Sequence, residues 1–324
     1  MIKAGIIGGS GYTGGELIRI LLSHSKIAID FIYSTTRAGK KLTSAHPDLL
    51  GLTDMRFTDA VNLNVDVVFL CLGHGNSTKF LNAYHFSENT KIIDLSNDLR
   101  LKEDSVLNGK KFVYGLPELE KSAIKSAKYI ANPGCFATAI QLALLPLAKA
   151  KQLSNQVHIN AVTGSTGAGV SPSGTTHYSW RNNNVSWYKP FTHQHLGEIN
   201  QSLRGLQENF GELMFLPNRG NFTRGILATA YTQFKGTLEE ALLLYKDFYK
   251  DAEFTQISEE PINLKQVVNT NQCHIHLHKY QDVLLITSAI DNLLKGASGQ
   301  AVQNMNLMLG FRENEGLQLK AGVY

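Results

Sequence analysis

The fold is decided by residues 3–14, KAGIIGGSGYTG, in which a short apolar run leads directly into a glycine-rich loop. Residues 16–23 then show the apolar periodicity of a helix packed on a sheet, and residues 27–33 form a second β-rich run. The order strand, G-x-G-x-x-G, helix, strand is typical of a dinucleotide site, because glycines allow a tight turn and a close approach to a pyrophosphate. The alternative is a glycine-rich turn in an unrelated α/β protein. We therefore predict that a cofactor contacts this loop, which consists of Gly9, Ser10, Gly11, Tyr12, Thr13 and Gly14.

The end of the second predicted strand indicates which dinucleotide is bound. An NAD site usually has an acidic side chain about 20 residues after the loop, where it binds the ribose 2′-hydroxyl. Here that position is Ser34, and the next three residues are Thr35, Thr36 and Arg37. Asp30 lies too early, inside the strand. Hydroxyl groups and an arginine suit a 2′-phosphate, so we predict NADP(H) over NAD, with contacts from Ser34 and Arg37. The alternative is that Arg37 is simply exposed.

Two further apolar runs, residues 65–72 and 91–95, are typical of buried parallel strands. The loops after them should line a ligand site, because ligands bind beyond the carboxyl ends of such strands. The first loop contains His74, a predicted cofactor contact whose alternative is a solvated histidine. The second contains Arg100, a predicted anion-binding residue whose alternative is an ion pair with a neighbouring acid.

One cysteine lies where an extended run ends and an Asn-Pro-Gly turn precedes an apolar helix, which we predict over residues 138–149. A thiol at a helix N-terminus faces backbone N–H groups and the positive end of the helix dipole, which favour the thiolate. A thiolate is the form that attacks carbonyl carbon, so Cys135 is a candidate nucleophile. The alternative is a buried apolar cysteine.

We place the domain boundary at this turn. Residues 1–134 form a dinucleotide-binding domain, rejoined by a C-terminal helix at residues 296–324, and residues 135–295 form a second domain. This boundary would place Cys135 in the cleft between the domains.

The alternation of strands and helices stops in the second domain. Strands are predicted at 156–163, 224–234, 272–278 and 283–290, and helices at 197–209 and 237–250. The last two strands read as a hairpin, which indicates an antiparallel sheet covered by helices. The predicted fold class is therefore α/β plus α+β, a Rossmann-type domain followed by a domain with a mixed or antiparallel sheet.

Histidines are concentrated at two places in the second domain. His193 and His195 precede a predicted helix, where the helix dipole disfavours the charged imidazole and leaves a neutral general base. A second set alternates along one strand face and comprises His274, His276 and His278. The first pair lacks a third ligand, and the second set is more typical of a polar sheet face turned to solvent or a subunit, so no metal site is predicted.

Composition excludes several classes of partner. The 324 residues carry a net charge of +4, and Lys and Arg are scattered, so we expect neither nucleic acid nor a membrane surface as a partner. No apolar stretch approaches the roughly 20 residues that span a bilayer, and no targeting segment is recognised. The three cysteines are widely spaced, which argues against a disulfide framework and favours the cytoplasm.

Motifs along the whole chain resemble those of the N-acyl-gamma-glutamyl-phosphate reductases, usually N-acetyl, a family related to aspartate-semialdehyde dehydrogenase. The matching segments are GSGYTG at 9–14, DLSNDLR at 94–100, YGLPE at 114–118, NPGCFAT at 132–138, HQHLGEI at 193–199, RGILAT at 224–229, DNLLKGA at 291–297 and QAVQN at 300–304. The resemblance implies a catalytic domain of the semialdehyde dehydrogenase type, a homo-oligomer (dimer or tetramer) and a role in arginine biosynthesis.

The resemblance also implies a mechanism. Cys135 would attack an acyl phosphate substrate to form a thioester, which NADPH reduces to the semialdehyde. His195 would be the acid/base, preferred over His193 because it matches the family's His-x-x-Glu-Ile spacing, and His193 would contact substrate. Arg100 and Asn132 would bind the phosphate. The nicotinamide side of the cofactor site would be completed by Gly296, Ala297 and Gln300.

Two segments depart from the family pattern, residues 217–225 and residues 180–192, the second of which contains Arg181 and Lys189. Because the catalytic motifs are retained, the departures concern the acyl group and not the reaction. The added cationic side chains lead to the hypothesis that a larger, anionic acyl group such as succinyl is accepted. The remaining alternatives are an aspartate-semialdehyde dehydrogenase and a non-catalytic NADP sensor.

Overall fold

The computed structural model describes residues 1–323, which form two compact units. Unit 1 contains Met1–Pro133 and Ala297–Gln318, and unit 2 contains Gly134–Gly296 and residues 319–323. Each unit has its own main sheet, with six strands in unit 1 and seven in unit 2.

Unit 1 has a parallel sheet. Its strands are β1 (Ile2–Ile7), β2 (Ile27–Tyr33), β3 (Val67–Leu70), β4 (Lys91–Asp94), β5 (Val106–Leu107), β6 (Lys110–Lys111), β7 (Val113–Tyr114) and β8 (Tyr129–Ala131). Its helices are α1 (Tyr12–Leu22), α2 (Ser77–Ala83), α3 (Pro117–Ser126) and, late in the chain, α8 (Gly299–Met308). The sheet order is β2-β1-β3-β4-β8-β7, and β5 pairs with β6 as a separate antiparallel ribbon. The buried face of α1 carries Leu17, Ile18 and Leu21, the apolar positions of the sequence pattern.

Unit 2 has a mixed sheet. Its elements are α4 (Cys135–Lys149), β9 (Val157–Thr163), α5 (Tyr178–Arg181), β10 (Ser186–Trp187), α6 (His195–Leu206), β11 (Leu213–Arg219), β12 (Ile226–Gln233), α7 (Leu238–Phe248), β13 (Thr255–Ser258), β14 (Cys273–Tyr280) and β15 (Val283–Ile290). The sheet order is β10-β11-β9-β12-β15-β14-β13, in which β11 is parallel to β9 and β13 is parallel to β14. The other neighbouring strands are antiparallel. Together, the parallel sheet of unit 1 and this mixed sheet confirm the predicted fold class.

Helix α4, which begins with Cys135, lacks one backbone hydrogen bond, and two tyrosine hydroxyls bond the helix at that place. Pro146 lies inside the helix and has no N–H to donate to the carbonyl oxygen of Leu142. The hydroxyl of Tyr249 donates to that oxygen instead, at 2.6 Å, and the hydroxyl of Tyr245 donates to Ala143 at 2.5 Å. These two buried bonds hold α4 against the α7 segment and so support the helix that carries the candidate nucleophile.

The predicted limits of two helices are wrong, and one strand was not predicted. The helix predicted from residue 138 begins at Cys135, with Gly134 as its N-cap. The helix predicted over 296–324 is shorter, because α8 ends at Met308 and Gly310 then adopts a φ of 70°. Strand β11 was missed, because it contains Pro217, which cannot donate to a sheet and weakens the strand signal.

Within residues 1–323, no helix combines the length and the apolarity that crossing a membrane requires.

Candidate active site

The glycine-rich loop of unit 1 leaves the first turn of α1 open. Gly11 is the N-cap, and within the described residues no side chain caps it. An added Cβ at Gly14 would lie 2.7 Å from the Cα of Gly9, so loop and helix require glycine at this contact. At Gly11 the nearest atom to an added Cβ is the carbonyl oxygen of Gly8, 3.9 Å away. The loop therefore fits a pyrophosphate, which would occupy the open side and bind the N–H groups of the helix terminus.

Hydroxyl groups lie where β2 ends beside this loop. The hydroxyl of Ser34 is buried and donates to Ser10 Oγ at 3.3 Å, and Arg37 is partly exposed nearby in the chain. The carboxylate of Asp30 is turned to another partner, since it accepts a hydrogen bond from Asn62 Nδ2 at 2.8 Å. Arg37 donates through Nη1 to the carbonyl oxygen of Ser44 at 2.9 Å, and the predicted choice of a ribose 2′-phosphate stays a prediction.

Arg100 is buried and is oriented by the backbone. Its Nε donates to the carbonyl oxygen of Asn132 at 2.8 Å, and its Nη2 donates to that of Leu95 at 2.9 Å. Asp98, an acid close to it in the chain, accepts hydrogen bonds from the backbone N–H and the hydroxyl of Thr78. Two backbone carbonyl groups thus orient the guanidinium, and the predicted contact of Arg100 with a substrate phosphate stays a prediction.

Asn132 connects several segments of unit 1. Its Nδ2 donates to the carbonyl oxygen of Ala297 at 3.1 Å, and its Oδ1 accepts from Asn304 Nδ2 at 3.0 Å. The side-chain N–H of Asn132 is thus directed at the backbone. The backbone carbonyl oxygen of Asn132 accepts the hydrogen bond from Arg100. These bonds support a positioning role, while the predicted contact of Asn132 with phosphate stays a prediction.

The other predicted cofactor residues of unit 1 differ in exposure. His74 is exposed, and its Nδ1 accepts a hydrogen bond from the N–H of Asn97 at 3.1 Å. Gln300 is fully buried in the first turn of α8. Ser298, between Ala297 and Gln300, donates through its hydroxyl to the carbonyl oxygen of Thr13 at 2.8 Å. The start of α8 is therefore bonded to the glycine-rich loop.

Cys135 is the first residue of α4 and is partly exposed. Its N-cap, Gly134, is extended, and within residues 1–323 no side chain caps this helix. The other two cysteines lie in different environments. Burial raises the pKa of Cys71 to about 12, which keeps it a thiol, and Cys273 is buried with its sulfur 3.5 Å from Ser288 Oγ. Of the three, Cys135 is the one at the N-terminus of a helix, as the sequence predicts, and its role as nucleophile stays a prediction.

The imidazole of His195 lies against the residue before the nucleophile. An added Cβ at Gly134 would overlap the ring of His195, so glycine is required there. Glu198 is buried one turn further along α6, where its Oε2 accepts from the N–H of Gly134 at 2.9 Å and its Oε1 lies 3.8 Å from His195 Nε2. In the sequence, Glu198 was considered only as part of the His-x-x-Glu-Ile spacing. Its i,i+3 spacing from His195 was the signal for this further contact.

His193 is held as a neutral ring in an aromatic cluster. Burial, and secondarily the charge of Lys189, lowers the pKa of His193 to about 4. Its Nδ1 accepts a hydrogen bond from the N–H of His195 at 3.2 Å. The rings of Phe136 and Phe215 pack on it edge to face, with centroids 5.4 and 5.6 Å away. His193 therefore orders the start of α6, and its predicted contact with substrate stays a prediction.

Gly296 lies beside the candidate nucleophile within unit 2. It lies in the π-helical turn Leu294–Ser298, and an added Cβ there would lie 2.8 Å from the Cβ of Cys135. The N–H of Gly296 donates to the carbonyl oxygen of Asp291 at 2.9 Å, and the carboxylate of Asp291 accepts from Arg224 Nε at 3.0 Å. The ion pair between the partly exposed Arg224 and the buried Asp291, which we did not select from the sequence, thus fixes the turn that contacts Cys135.

The histidines of β14 lie on one sheet face, as their alternation predicts. His274 and His276 are half-buried and His278 is exposed, whereas the alternate residues Cys273, Ile275 and Leu277 are buried. In the part of the chain that the structure describes, no three His, Cys, Asp or Glu side chains are placed to hold a metal ion.

Comparison with known proteins identifies both units. Residues 3–127 match the family model described as semialdehyde dehydrogenase, NAD binding domain, and residues 135–292 match semialdehyde dehydrogenase, dimerisation domain. The chain is 63% identical over 321 residues to a protein of Flavobacterium johnsoniae named N-acetyl-gamma-glutamyl-phosphate reductase, covering 99% of each chain. It is 61% identical to a protein of Christiangramia forsetii with the same name, covering 100% of each.

Solved structures share the fold at low identity. Aspartate semialdehyde dehydrogenase II from Vibrio cholerae superposes with a TM-score of 0.71 at 15% identity, over 96% of this chain and 99% of that chain. Aspartate semialdehyde dehydrogenase with NADP from Candida albicans superposes with a TM-score of 0.67 at 15% identity, over 95% and 98%.

Proposed function

The chain belongs to the N-acetyl-gamma-glutamyl-phosphate reductase family, and from this premise we propose that it reduces an N-acyl-gamma-glutamyl phosphate to N-acyl-glutamate 5-semialdehyde and phosphate. The family resemblance of the sequence motifs is confirmed, and the chain is an oxidoreductase with a domain for a nicotinamide cofactor. The observation that carries the proposal is the partly exposed Cys135 at the start of α4, with the imidazole of His195 packed on Gly134. The runner-up, an aspartate-semialdehyde dehydrogenase, shares the fold at only 15% identity.

The proposed reaction has two stages on Cys135. In the first, His195 accepts the thiol proton, and the sulfur attacks the acyl carbon, so that a C–S bond forms and the C–O bond to phosphate breaks. A bound nicotinamide supplies the hydride that reduces the resulting thioester. In the second stage, the oxyanion reforms the carbonyl, the C–S bond breaks and the semialdehyde leaves. His195 returns its proton to the sulfur, which completes the cycle.

The cofactor we propose is NADP(H). The loop residues Gly9 to Gly14 would hold its pyrophosphate, and Ser34 and Arg37 would bind its 2′-phosphate. His74, Gly296, Ala297 and Gln300 are proposed to contact the rest of it. The hydroxyl of Ser34 beside the loop supports the choice of NADP over NAD.

Arg100 is proposed to bind the substrate phosphate, and Asn132 is proposed to assist it by holding its guanidinium.

The acyl group is proposed to be succinyl as an alternative to acetyl, which the cationic side chains of residues 180–192 support. We further propose a place in arginine biosynthesis in the cytoplasm, and a homo-oligomer formed by unit 2. The match to a dimerisation domain and the half-buried polar face of β14 support the oligomer.

The test is a steady-state assay in the oxidising direction, with N-acetyl- and N-succinyl-glutamate semialdehyde, phosphate, and either NADP⁺ or NAD⁺. We expect phosphate-dependent reduction of NADP⁺, and a fall in kcat of at least about a thousandfold in Cys135→Ser, with NADPH binding retained. Activity that survives in Cys135→Ser would refute the nucleophile. A clear preference for acetyl would reject the succinyl hypothesis, and a preference for NAD⁺ would reject NADP.

A further inference from the structure

Two arginines of unit 2 come together at the ends of short elements. Arg181 ends α5 and is 6% exposed, and Arg219 ends β11 and is partly exposed. Nη1 of Arg181 donates to the carbonyl oxygen of Arg219 at 2.5 Å, and its Nη2 donates to Ser186 Oγ at 2.9 Å. Pairing of Ser186 with Arg219 in the β10–β11 ladder fixes this arrangement. The first guanidinium therefore supports the backbone of the second.

Neither of these cations has a counter-ion in the described part of the chain. Within residues 1–323, no carboxylate lies within ion-pair distance of Arg181 or Arg219, whereas Arg19, Arg224 and Arg312 are paired with acids. The buried Nε atoms of Arg181 and Arg219 have no hydrogen-bond acceptor among these residues. Burial and the charge of Arg219 lower the pKa of Arg181, which indicates that the two guanidinium groups repel each other. Buried charges are normally compensated by a group of opposite charge, so the two arginines are suited to bind an anion.

Tyr188 links this pair to the nucleophile. The guanidinium carbon of Arg219 lies 4.7 Å from the centroid of the Tyr188 ring. Burial raises the pKa of Tyr188 to about 12, and the negative charge of Cys135 acts in the same direction, while Arg219 opposes it. The same ring packs edge to face on His193, with centroids 5.7 Å apart. Tyr188 and His193 thus join Arg219 to Phe136, the residue after Cys135, through a continuous series of ring contacts.

We propose that Arg219, supported by Arg181, forms a carboxylate-binding subsite for the substrate. A guanidinium fork pairs with a carboxylate through two parallel hydrogen bonds, and a carboxylate partner is what both arginines lack within residues 1–323. The inference rests on the proposed function, since an N-acyl-glutamyl phosphate offers its α-carboxylate and a succinyl substrate offers a second carboxylate on the acyl group. Lys189 is a poorer candidate, because it is exposed and donates to Gln194 Oε1 at 3.2 Å.

The experiment compares Arg219→Gln with wild type on N-acetyl- and N-succinyl-glutamate semialdehyde, in the oxidising assay above. Loss of a charged hydrogen-bonding partner is expected to raise KM by about tenfold to a hundredfold, with a smaller change in kcat. An equal rise for both substrates assigns the subsite to the α-carboxylate, and a rise confined to the succinyl substrate assigns it to the acyl end. Arg204→Gln, an exposed arginine of α6, is the matched control for loss of charge.

A KM that stays within about twofold of wild type for both substrates, in a folded Arg219→Gln protein, overturns the subsite. If that variant does not fold, Arg219→Met, which also removes the charge, replaces it, and an unchanged KM in the folded Arg219→Met protein overturns the subsite as well. Inactive wild-type protein would instead refute the proposed function, so the two failures are distinguishable.

Discussion

The glycine-rich loop of unit 1 and the surroundings of Cys135 in unit 2 each contain the start of a helix whose N-cap is a glycine, but the two regions are built differently. The loop is one continuous stretch that offers backbone N–H groups, and at Gly14 glycine is required by a contact with Gly9 in the same stretch. The Cys135 region depends on side chains from α6 and on a turn more than 150 residues later in the chain. A site made of backbone is encoded locally, whereas a site made of side chains is encoded by the fold.

The strongest test of the side-chain site is His195→Asn. This change removes the imidazole that packs on Gly134, and we expect kcat to fall by about 10²- to 10⁴-fold, the usual contribution of a general acid–base residue. The rate at which iodoacetamide alkylates Cys135 should fall as well, because the thiol loses its proton acceptor. A variant with wild-type kcat would remove His195 from the mechanism and return His193 as the candidate base.

Glu198 allows charge and hydrogen bonding to be separated. Glu198→Gln keeps an oxygen that can accept from the N–H of Gly134 but removes the charge beside His195, so we expect kcat to fall about tenfold and its pH profile to shift. Glu198→Ala also leaves a buried N–H without an acceptor, which should cost about 1–3 kcal/mol of stability. Equal pH profiles for Glu198→Gln and wild type would show that Glu198 is only structural.

Two glycines of the loop test the backbone site. Gly11→Ala adds a methyl group where the folded protein has room, so the Tm should be unchanged while KM for NADPH rises roughly tenfold, about 1.4 kcal/mol of binding free energy. Gly14→Ala places the methyl group against the backbone of Gly9, and overpacking should cost about 1–3 kcal/mol of stability. If Gly11→Ala bound NADPH normally, the pyrophosphate would not lie over this turn.

The smallest effect is expected at His193, as a dependence of stability on pH. Its pKa is about 4 in the folded protein, below the value near 6.5 of an unfolded histidine. Between these values the unfolded chain binds the proton and the folded chain does not, so the folded state loses stability as pH falls from about 6.5 towards 4. His193→Gln removes this titration, so the difference in Tm between wild type and variant should change over that window. A difference that is constant with pH would contradict a buried neutral His193.

Much of the fold was predictable because its signals are local. The strand, glycine loop and helix of residues 2–22 follow from apolar periodicity and loop chemistry, and the position of Cys135 at a helix start follows from the preceding turn. Strand β11 was not predictable from its own residues, since Pro217 opposes a strand and the pairing with β9 and β10 stabilises it. The hydrogen bond from Gly134 to Glu198 joins residues 64 positions apart, and no local pattern specifies it.

The amino-acid sequence was sufficient to establish the family and to locate the glycine-rich loop and the candidate nucleophile, because each depends on residue types at short spacing. Only the tertiary structure could reveal that Glu198 holds the turn before Cys135, that Arg224 and Asp291 fix Gly296 against it, and that His193 is a neutral packing residue. The pairing of Arg181 with Arg219 belongs to the same group. These properties arise from burial and from contacts between distant segments, and both come into existence only when the chain is folded.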